Sequence, residues 1–427
     1  MPHILPPDAR SAGPPQQVDP DAGDTTDGAI ADLAAATGYI GRICFKTGPP
    51  RRIGIELEWT VHHLDQPARQ LAPDELADAL GEHAPPTIRP GSPQRPLPHG
   101  GLVTVEPGGQ LEISSQPAES LATLQLRTAA ETRFLVDRLA RAGLRLGGHG
   151  CDPHRRPHQI LTTRRYAAMA AAFARQGPTG ATMMCGTAGI QVCLDAGTPA
   201  QLPLRWAAAH ALGPVLVALF ANSPRSSGRD TGWASSRMRT WLTLDPDRTA
   251  PPAGVTDPAG PADPVAAWAQ RVLATPPLFV VDGSNGWRLP DRAGFGEWIR
   301  SGVPRPPTYA DLDLHLSTLF PPVRPRGYLE IRYLDTQPGD EWILPLATLS
   351  ALFARDETLR TAMAYTAEAA DRWLPAARAG LADPVIAAAA GPLVALVCDR
   401  LTDTDLPAGT ARHVARALHA RLRDIRA

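Results

Sequence analysis

The stretch Arg52–Thr60 reads R-I-G-I-E-L-E-W-T. On an extended strand Glu56 and Glu58 fall on one face, while Ile53, Ile55, Leu57 and Trp59 fall on the other. The same division recurs along the chain. Leu111 and Ile113 oppose Gln110, Glu112 and Ser114; Ile190, Val192 and Leu194 oppose Gln191, Cys193 and Asp195; Leu329, Ile331 and Tyr333 oppose Glu330 and Arg332. If these strands share a sheet, its polar face gathers Glu56, Glu58, Glu112, Gln191, Glu330 and Arg332. Any one strand could simply be wet on that side, but glutamate is depleted at ordinary strand positions. The acids recur with few neutralising bases beside them, so they should repel and raise one another's pKa. Divalent cations between them would remove that repulsion, and hard oxygen ligands suit Mg²⁺ or Mn²⁺.

Arginines complement these acids. Arg165-Tyr166, the run Arg237-x-Arg239-x-Trp241 with Asp245 and Arg248, and then Arg324, Arg326 and Arg332 offer planar cations for carboxylate or phosphate. Lys46 is the only lysine in the chain, and no G-x-x-x-x-G-K phosphate loop is present. Acids, arginines and no such loop describe a site where metal bridges a nucleotide's phosphates and arginines hold an anionic substrate.

The elements that must position these groups follow from periodicity. Strands are expected at Arg52–Val61, Gln110–Ser115, Gly189–Asp195 and Tyr328–Leu334, and helices at Ala29–Ile43, Leu121–Ala142, Arg165–Arg175, Leu204–Ala221 and Asp263–Ala274. From Ile343 the chain turns helical to its end. Scattered strands with one wet face indicate an α+β fold on a mainly antiparallel sheet. Residues 1–27, rich in Pro, Asp and Gly, read as a disordered leader. Residues 28–342 then form a catalytic domain, and 343–427 a helical part packed on it. Ala84–Gly101 and Pro246–Pro264 are Pro-rich and read as surface loops.

Composition narrows the function classes. The 427 residues carry 42 Lys+Arg against 43 Asp+Glu, a net charge of -1, which argues against nucleic-acid binding by phosphate neutralisation. No run of 18 uncharged apolar residues exists, and the best span candidate, Ala207–Ala221, is interrupted by His210, Gly213 and Pro214, so no membrane role is expected. Five cysteines give no disulfide framework and suit a reducing cytoplasm.

Seven ordered blocks resemble the plant-type glutamate–cysteine ligases shared by plants and many bacteria. They are G-I-E-L-E (Gly54–Glu58), E-P-G-G-Q-L-E-I-S (Glu106–Ser114), R-Y-x-x-M (Arg165–Met169), M-M-C-G-T-A-G-I-Q-V-x-L-D (Met183–Asp195), A-N-S-P (Ala221–Pro224), R-x-R-x-W-L-T-L-D-P-D-R-T (Arg237–Thr249) and H-L-S-T-L-F-P-P-V-R-P-R-G-Y-L-E-I-R-Y-L-D (His315–Asp335). They span roughly residues 50 to 340 in the family's order. The resemblance implies a curved sheet of glutamine synthetase-like type, with a concave active-site face and helices behind. It implies ATP-dependent amide formation, in which the γ-carboxylate of L-glutamate attacks ATP to give γ-glutamyl phosphate and the amine of L-cysteine displaces phosphate. ATP is then a co-substrate, Mg²⁺ or Mn²⁺ the cofactor, and the partners are these small molecules.

By the same resemblance Glu56, Glu58, Glu106, Glu112, Gln191 and Glu330 match metal positions, with Gln191 where related branches use histidine. Arg165 and Arg237 match residues holding the substrate glutamate's carboxylates. Arg332, with Glu330, looks placed for phosphate or the γ-carboxyl, and Thr187 and Ala188 line the glutamate pocket. Trp241 stacks near the cysteine or caps the site, a core aromatic being an equal reading. The Arg-rich composition suggests an actinobacterial enzyme that feeds ergothioneine rather than glutathione. Alternatives are a ligase of the same fold with another amine acceptor and a silent glutamate or nucleotide sensor. The loops at Ala84–Gly101 and Pro246–Pro264, and Cys185-Gly186, depart from the family pattern. His149, Cys151, His154 and His158 match no zinc template, and Cys44, Cys193 and Cys398 read as core thiols.

Overall fold

The strands expected from alternation do lie side by side. The computed structural model describes residues 28–252, 254–255, 263–281, 287–288 and 293–423. Its main sheet contains β1 (Ile53–Trp59), β2 (Leu102–Val105), β3 (Leu111–Ser114), β4 (Gly189–Leu194), β5 (Val323–Pro325) and β6 (Leu329–Asp335). Their order across the sheet is β5-β6-β4-β1-β3-β2, and every neighbouring pair is antiparallel. The register slips between Ile331 and Leu334, the stretch that holds Arg332. The edge strands β2 and β5 were not expected from alternation. They are four and three residues long, and Pro325 suits an edge because it cannot donate to a ladder.

One face of this sheet is apolar. Ile53, Ile55, Leu57, Trp59, Leu111, Ile113, Ile190, Val192, Leu329, Ile331 and Tyr333 are buried there. Helices Leu121–Arg141, Gly213–Leu219 and Ile343–Phe353 pack against β1, β6 and β4 respectively. The fold is therefore α+β, with helices behind the sheet and the polar face turned from them.

Local chemistry sets the helix ends. The first helix runs Leu33–Cys44 rather than from Ala29, because the Asp32 side chain caps it by accepting from Ala35 N at 2.8 Å. Ala29 instead bridges to Thr308 in extended form. The expected Leu204–Ala221 helix is two, Leu202–Ala211 and Gly213–Leu219, bent by 43°. Pro214 breaks the ladder there. Trp373 lies so close to Gly213 that a side chain at 213 would collide with its ring. Ala84–Gly101 holds turns but no strand or long helix, as expected. Glu131 pins its end, accepting from His99 N at 3.1 Å and Gly101 N at 2.8 Å. Pro246–Thr249 of the second Pro-rich stretch is a helical turn, a correction to the loop reading. Part of that stretch, and the expected leader, lie outside the described residues.

The membrane reading also needs one correction. By length and composition the segment best able to cross a bilayer is Pro384–Asp403, not Ala207–Ala221. Asp383 caps its helix, and Ile386, Ala389, Ala390, Leu393, Val394 and Val397 are buried against Gly213–Leu219, Asp356–Thr366 and Ala408–Arg423. It serves here as a packing helix.

Candidate active site

Register places the polar side chains in rows. Glu330 of β6 pairs with Arg324 of β5 and with Cys193 of β4, which in turn pairs with Gly54 of β1. In the next row Gln191 pairs with Glu56, and Glu56 with Ser114. In the third, Glu58 pairs with Glu112, and Glu112 with Thr104. The expected face is thus formed, and it is polarised: carboxylates gather on β1 and β3, guanidinium groups on β5 and β6. The expectation of few nearby bases is corrected by this packing, because Arg324 and Arg332 on β5 and β6, and Arg326 in the turn between them, reach the face from a segment distant in sequence.

In the anionic half, burial and then Glu112 and Glu330 push the Glu56 carboxyl up to about 8. Burial followed by Glu106 and Glu112 holds Glu58 well above the ordinary carboxylate range. Glu112 is raised to about 7 by burial and Glu106, although Thr104 Oγ1 donates to it at 3.0 Å. Burial raises Glu106 as well, against the pull of Arg165. Glu106 joins this group from the turn between β2 and β3, where Gly109 takes φ +86 and its N–H closes on Glu106 O at 2.8 Å. The tip of that turn seats against the next segment: Gly108 lies on the Cys185 backbone, and Gln110 Nε2 donates to Thr187 O at 2.9 Å. A side chain at 108 would collide with that backbone, which explains the paired glycines.

The cationic half is organised by Glu330, which is fully buried. Its Oε2 accepts from Arg324 Nε at 2.6 Å and Arg332 Nη1 at 2.8 Å, and Arg326 Nη1 lies 3.6 Å from Oε1. Burial alone would raise this carboxyl, yet the three arginines hold it well below the usual range. Glu330 Oε1 has no hydrogen-bond partner despite its burial. Gln191 joins the halves. Its Oε1 accepts from Arg332 Nη1, and its Nε2 donates to Glu112 Oε2 at 3.1 Å. Only this amide orientation satisfies both neighbours, so the oxygen expected to face a metal is engaged by Arg332. Cys193 is not a core thiol as expected; it lies on the face, its thiol raised by burial and by Glu56 and Glu330. Cys44 is buried, and Cys398 is part-exposed with its Sγ 3.8 Å from His419 Nδ1.

The remaining expected residues border the face. Arg237 and Trp241 sit on the helix Ser236–Leu244. Two guanidinium groups lie near the Trp241 ring, with Arg237 Cζ 5.5 Å and Arg332 Cζ 5.6 Å from its centroid. Trp241 therefore contacts both site arginines. Arg237 Nη2 donates to Arg332 O at 2.7 Å, while its buried Nε has no partner. Arg165, near the start of helix Arg164–Ala174, donates to Ser317 Oγ at 2.8 Å and acts on Glu106. Thr187 and Ala188 are buried in the junction before β4, where the Thr187 hydroxyl donates to Met183 O at 2.8 Å. They present no free polar side chain to the face. Sequence reasoning missed Thr104, Asp335 and the Glu330–arginine hub. The V-T-V alternation of β2 was the available signal for Thr104 alone.

The donor chemistry of the anionic half fits hard divalent cations: four carboxylates, each destabilised as an anion by burial and by its neighbours. Among the described residues no three His, Cys, Asp or Glu converge as a ready-made cation site. Glu58 and Glu112 are directly paired, however, and such Cβ atoms lie roughly 4.5–5.5 Å apart. Side-chain rotation rather than backbone movement would bring these oxygens together. A surface cleft of about 430 Å³, lined in part by His63, Arg69 and Glu75, shares no residue with this face.

Comparisons with known proteins agree with the sequence blocks. Residues 52–425 match glutamate–cysteine ligase family 2 (GCS2). The chain is 37% identical over 375 residues to the glutamate–cysteine ligase EgtA of Mycolicibacterium smegmatis, covering 87% of this chain and 84% of that one. It is 30% identical over 293 residues to the chloroplastic glutamate–cysteine ligase of Arabidopsis thaliana, covering 66% and 54% respectively. A solved glutamate–cysteine ligase from Francisella tularensis in complex with AMP aligns at a TM-score of 0.49 and 14% identity, over 89% of this chain and 83% of that one.

Proposed function

The chain belongs to glutamate–cysteine ligase family 2, and on that premise we propose how its polar face forms γ-glutamylcysteine from L-glutamate, L-cysteine and ATP. The enzyme is an ATP-dependent glutamate–cysteine ligase. The observation that carries the reading is the register that brings Glu56, Glu58 and Glu112 onto one face with Glu330 and its arginines, Gln191 lying between the two groups.

In the first step an oxygen of the glutamate γ-carboxylate attacks the terminal phosphorus of ATP. The bond from that phosphorus to the bridging oxygen breaks, and ADP leaves. In the second, the cysteine amine attacks the γ-carbonyl carbon, loses a proton, and inorganic phosphate departs. Both steps gather negative charge on phosphoryl oxygens, so fixed cations close to those oxygens lower the barrier. Arg332 and Arg324, oriented by Glu330, are poised for this role, and the Gln191 amide keeps Arg332 beside the carboxylates. Glu56, Glu58, Glu106 and Glu112 would hold Mg²⁺ or Mn²⁺, with Glu330 Oε1, which lacks a hydrogen bond but lies 3.6 Å from Arg326 Nη1, as a further candidate oxygen. Such an ion would shield the phosphates and the developing charge. Arg237 and Arg165 receive the carboxylates of glutamate, Trp241 contacts Arg237 and Arg332, and Thr187 and Ala188 shape the pocket floor. No nucleophile on the protein is required.

Identity of 37% over 87% of the chain to a mycobacterial EgtA, against 30% over 66% to a plastid enzyme, supports the ergothioneine branch expected from the sequence. A cytoplasmic location accompanies that reading. The acyl-phosphate route is tested with L-glutamate carrying ¹⁸O in its γ-carboxylate. One label should pass into inorganic phosphate when cysteine is present. Unlabelled phosphate beside amide product would exclude γ-glutamyl phosphate, and turnover with an amine other than cysteine would move the enzyme to a related ligase.

A further inference from the structure

Asp335, the last residue of β6, is a buried acid outside the expected set whose hydrogen-bond partners come from other segments of the chain. It is buried where β6 meets β4, opposite Gly189. Its Oδ2 accepts from Asn222 N at 2.9 Å and Ser223 Oγ at 2.7 Å, and its Oδ1 accepts from Ser235 Oγ at 2.9 Å. Gly150 approaches so closely that a Cβ there would lie 2.6 Å from Asp335 Cγ. A sheet end, the A-N-S-P loop, the 150 loop and the start of the Ser236–Leu244 helix thus meet at one carboxylate.

Both serines relay that carboxylate to the helix. Ser235 Oγ donates its hydrogen to Asp335 and accepts from Met238 N at 3.1 Å, capping the helix. Ser223 Oγ likewise donates to Asp335 and accepts from Arg237 N at 3.1 Å. A hydroxyl has one hydrogen to give, so an acceptor at 335 fixes the direction of both relays. Asp335 Oδ1 also lies 3.9 Å from Arg237 Nη1. The Arg237 guanidinium is therefore placed from both ends. The helix start holds its backbone, while Arg332 O and Asp335 hold its nitrogens, leaving the buried Nε–H without a protein acceptor. A buried donor of that kind calls for an acceptor, and a substrate carboxylate is one.

We propose that Asp335 is the positioning residue for Arg237, aiming its guanidinium at the carboxylate of the amino-acid substrate through Ser223 and Ser235. The proposal rests on the ligase reading above. An amide at 335 keeps the shape but replaces one acceptor oxygen with a donor, so one serine relay must turn or break. The defect should appear in recognition of glutamate, because Arg237 carries the unpaired donor and meets the Glu330 hub only through the Arg332 backbone carbonyl and the Trp241 ring.

The test compares full-length wild type with Asp335→Asn and Ser223→Ala, measuring KM for L-glutamate and for ATP separately, kcat and thermal midpoint. Asp335→Asn should raise the glutamate KM by about tenfold or more, the ATP KM moving by less than about twofold. Ser223→Ala, which removes one relay, should show the same split at about threefold. Restoring a carboxylate with Asp335→Glu should recover part of the glutamate KM. A folded Asp335→Asn with unchanged glutamate KM, or with both KM values raised equally, overturns the proposal. If Asp335→Asn does not fold, an unchanged glutamate KM in Ser223→Ala overturns it instead. A wild type that turns over no glutamate removes the ligase reading and the proposal together; an active wild type beside an unaffected variant removes the proposal alone.

Discussion

Replacing Glu56 by Gln removes one of four mutually repelling carboxylates while keeping the side chain's shape. In the wild type, burial with Glu112 and Glu330 pushes this carboxyl from 4.5 up to about 8. The folded chain therefore holds the proton more tightly than the unfolded chain. A raised carboxylate has stability fully present below its unfolded value and lost as pH rises towards the folded value. With each pKa unit worth ~1.4 kcal/mol, going from about pH 5.5 to about pH 8 removes about 3 kcal/mol through Glu56. The assay is urea denaturation of EDTA-treated wild type and Glu56→Gln at those two pH values. The variant should be the more stable at both, with the gap widening by about 3 kcal/mol at the higher pH. Its ligase activity should be lost. Added Mg²⁺ should raise the wild-type midpoint at the higher pH more than the variant's, because cation binding relieves the same repulsion. Parallel pH slopes, or a variant less stable than wild type near pH 8, would refute the crowded-carboxylate reasoning.

Glu330→Ala should have the opposite effect on stability. It strands Arg324 and Arg332 with little solvent, so a loss of about 3–5 kcal/mol is expected in urea titrations, and an unchanged midpoint would remove Glu330 as the hub. Gln191→Leu should lower kcat by about tenfold or more by freeing Arg332, while Mn²⁺ affinity measured by electron paramagnetic resonance stays within about twofold. A tenfold fall in that affinity would restore the amide as a metal ligand. Arg237→Ala should raise the glutamate KM by about a hundredfold through loss of a charge-assisted pair, and unchanged glutamate kinetics would take Arg237 out of the site.

Alternation made the inner strands of the sheet readable, because the apolar face of each must meet the helices behind it. With Ile55 and Leu57 against Glu56 and Glu58, any other phase would turn the acids into the apolar layer under the helices. The edge strands escaped because three or four residues carry too little period, and Pro325 argues against a strand unless it is an edge. Helix boundaries at Asp32 and Pro214 turned on single capping and breaking residues that override apolar periodicity. Strand order and register were not legible, and the corrections to the site came from them. Arg324 and Glu330 are six residues apart in sequence, yet only the β5–β6 pairing makes them partners. The Gln191 amide reads in the sequence as a metal ligand, whereas in the fold its oxygen also accepts from Arg332, a contact spanning 141 residues of sequence. Asp335 ended a matched block, but its three donors come from segments about 100 residues or more away.

ADP release from ATP, Mg²⁺ and L-glutamate, with and without L-cysteine, coupled to mass analysis of the product, tests the central claim most directly. Cysteine-dependent ADP and stoichiometric γ-glutamylcysteine are expected, both abolished in Glu56→Gln. ADP without amide product, or γ-glutamylcysteine formed undiminished by Glu56→Gln, would contradict it.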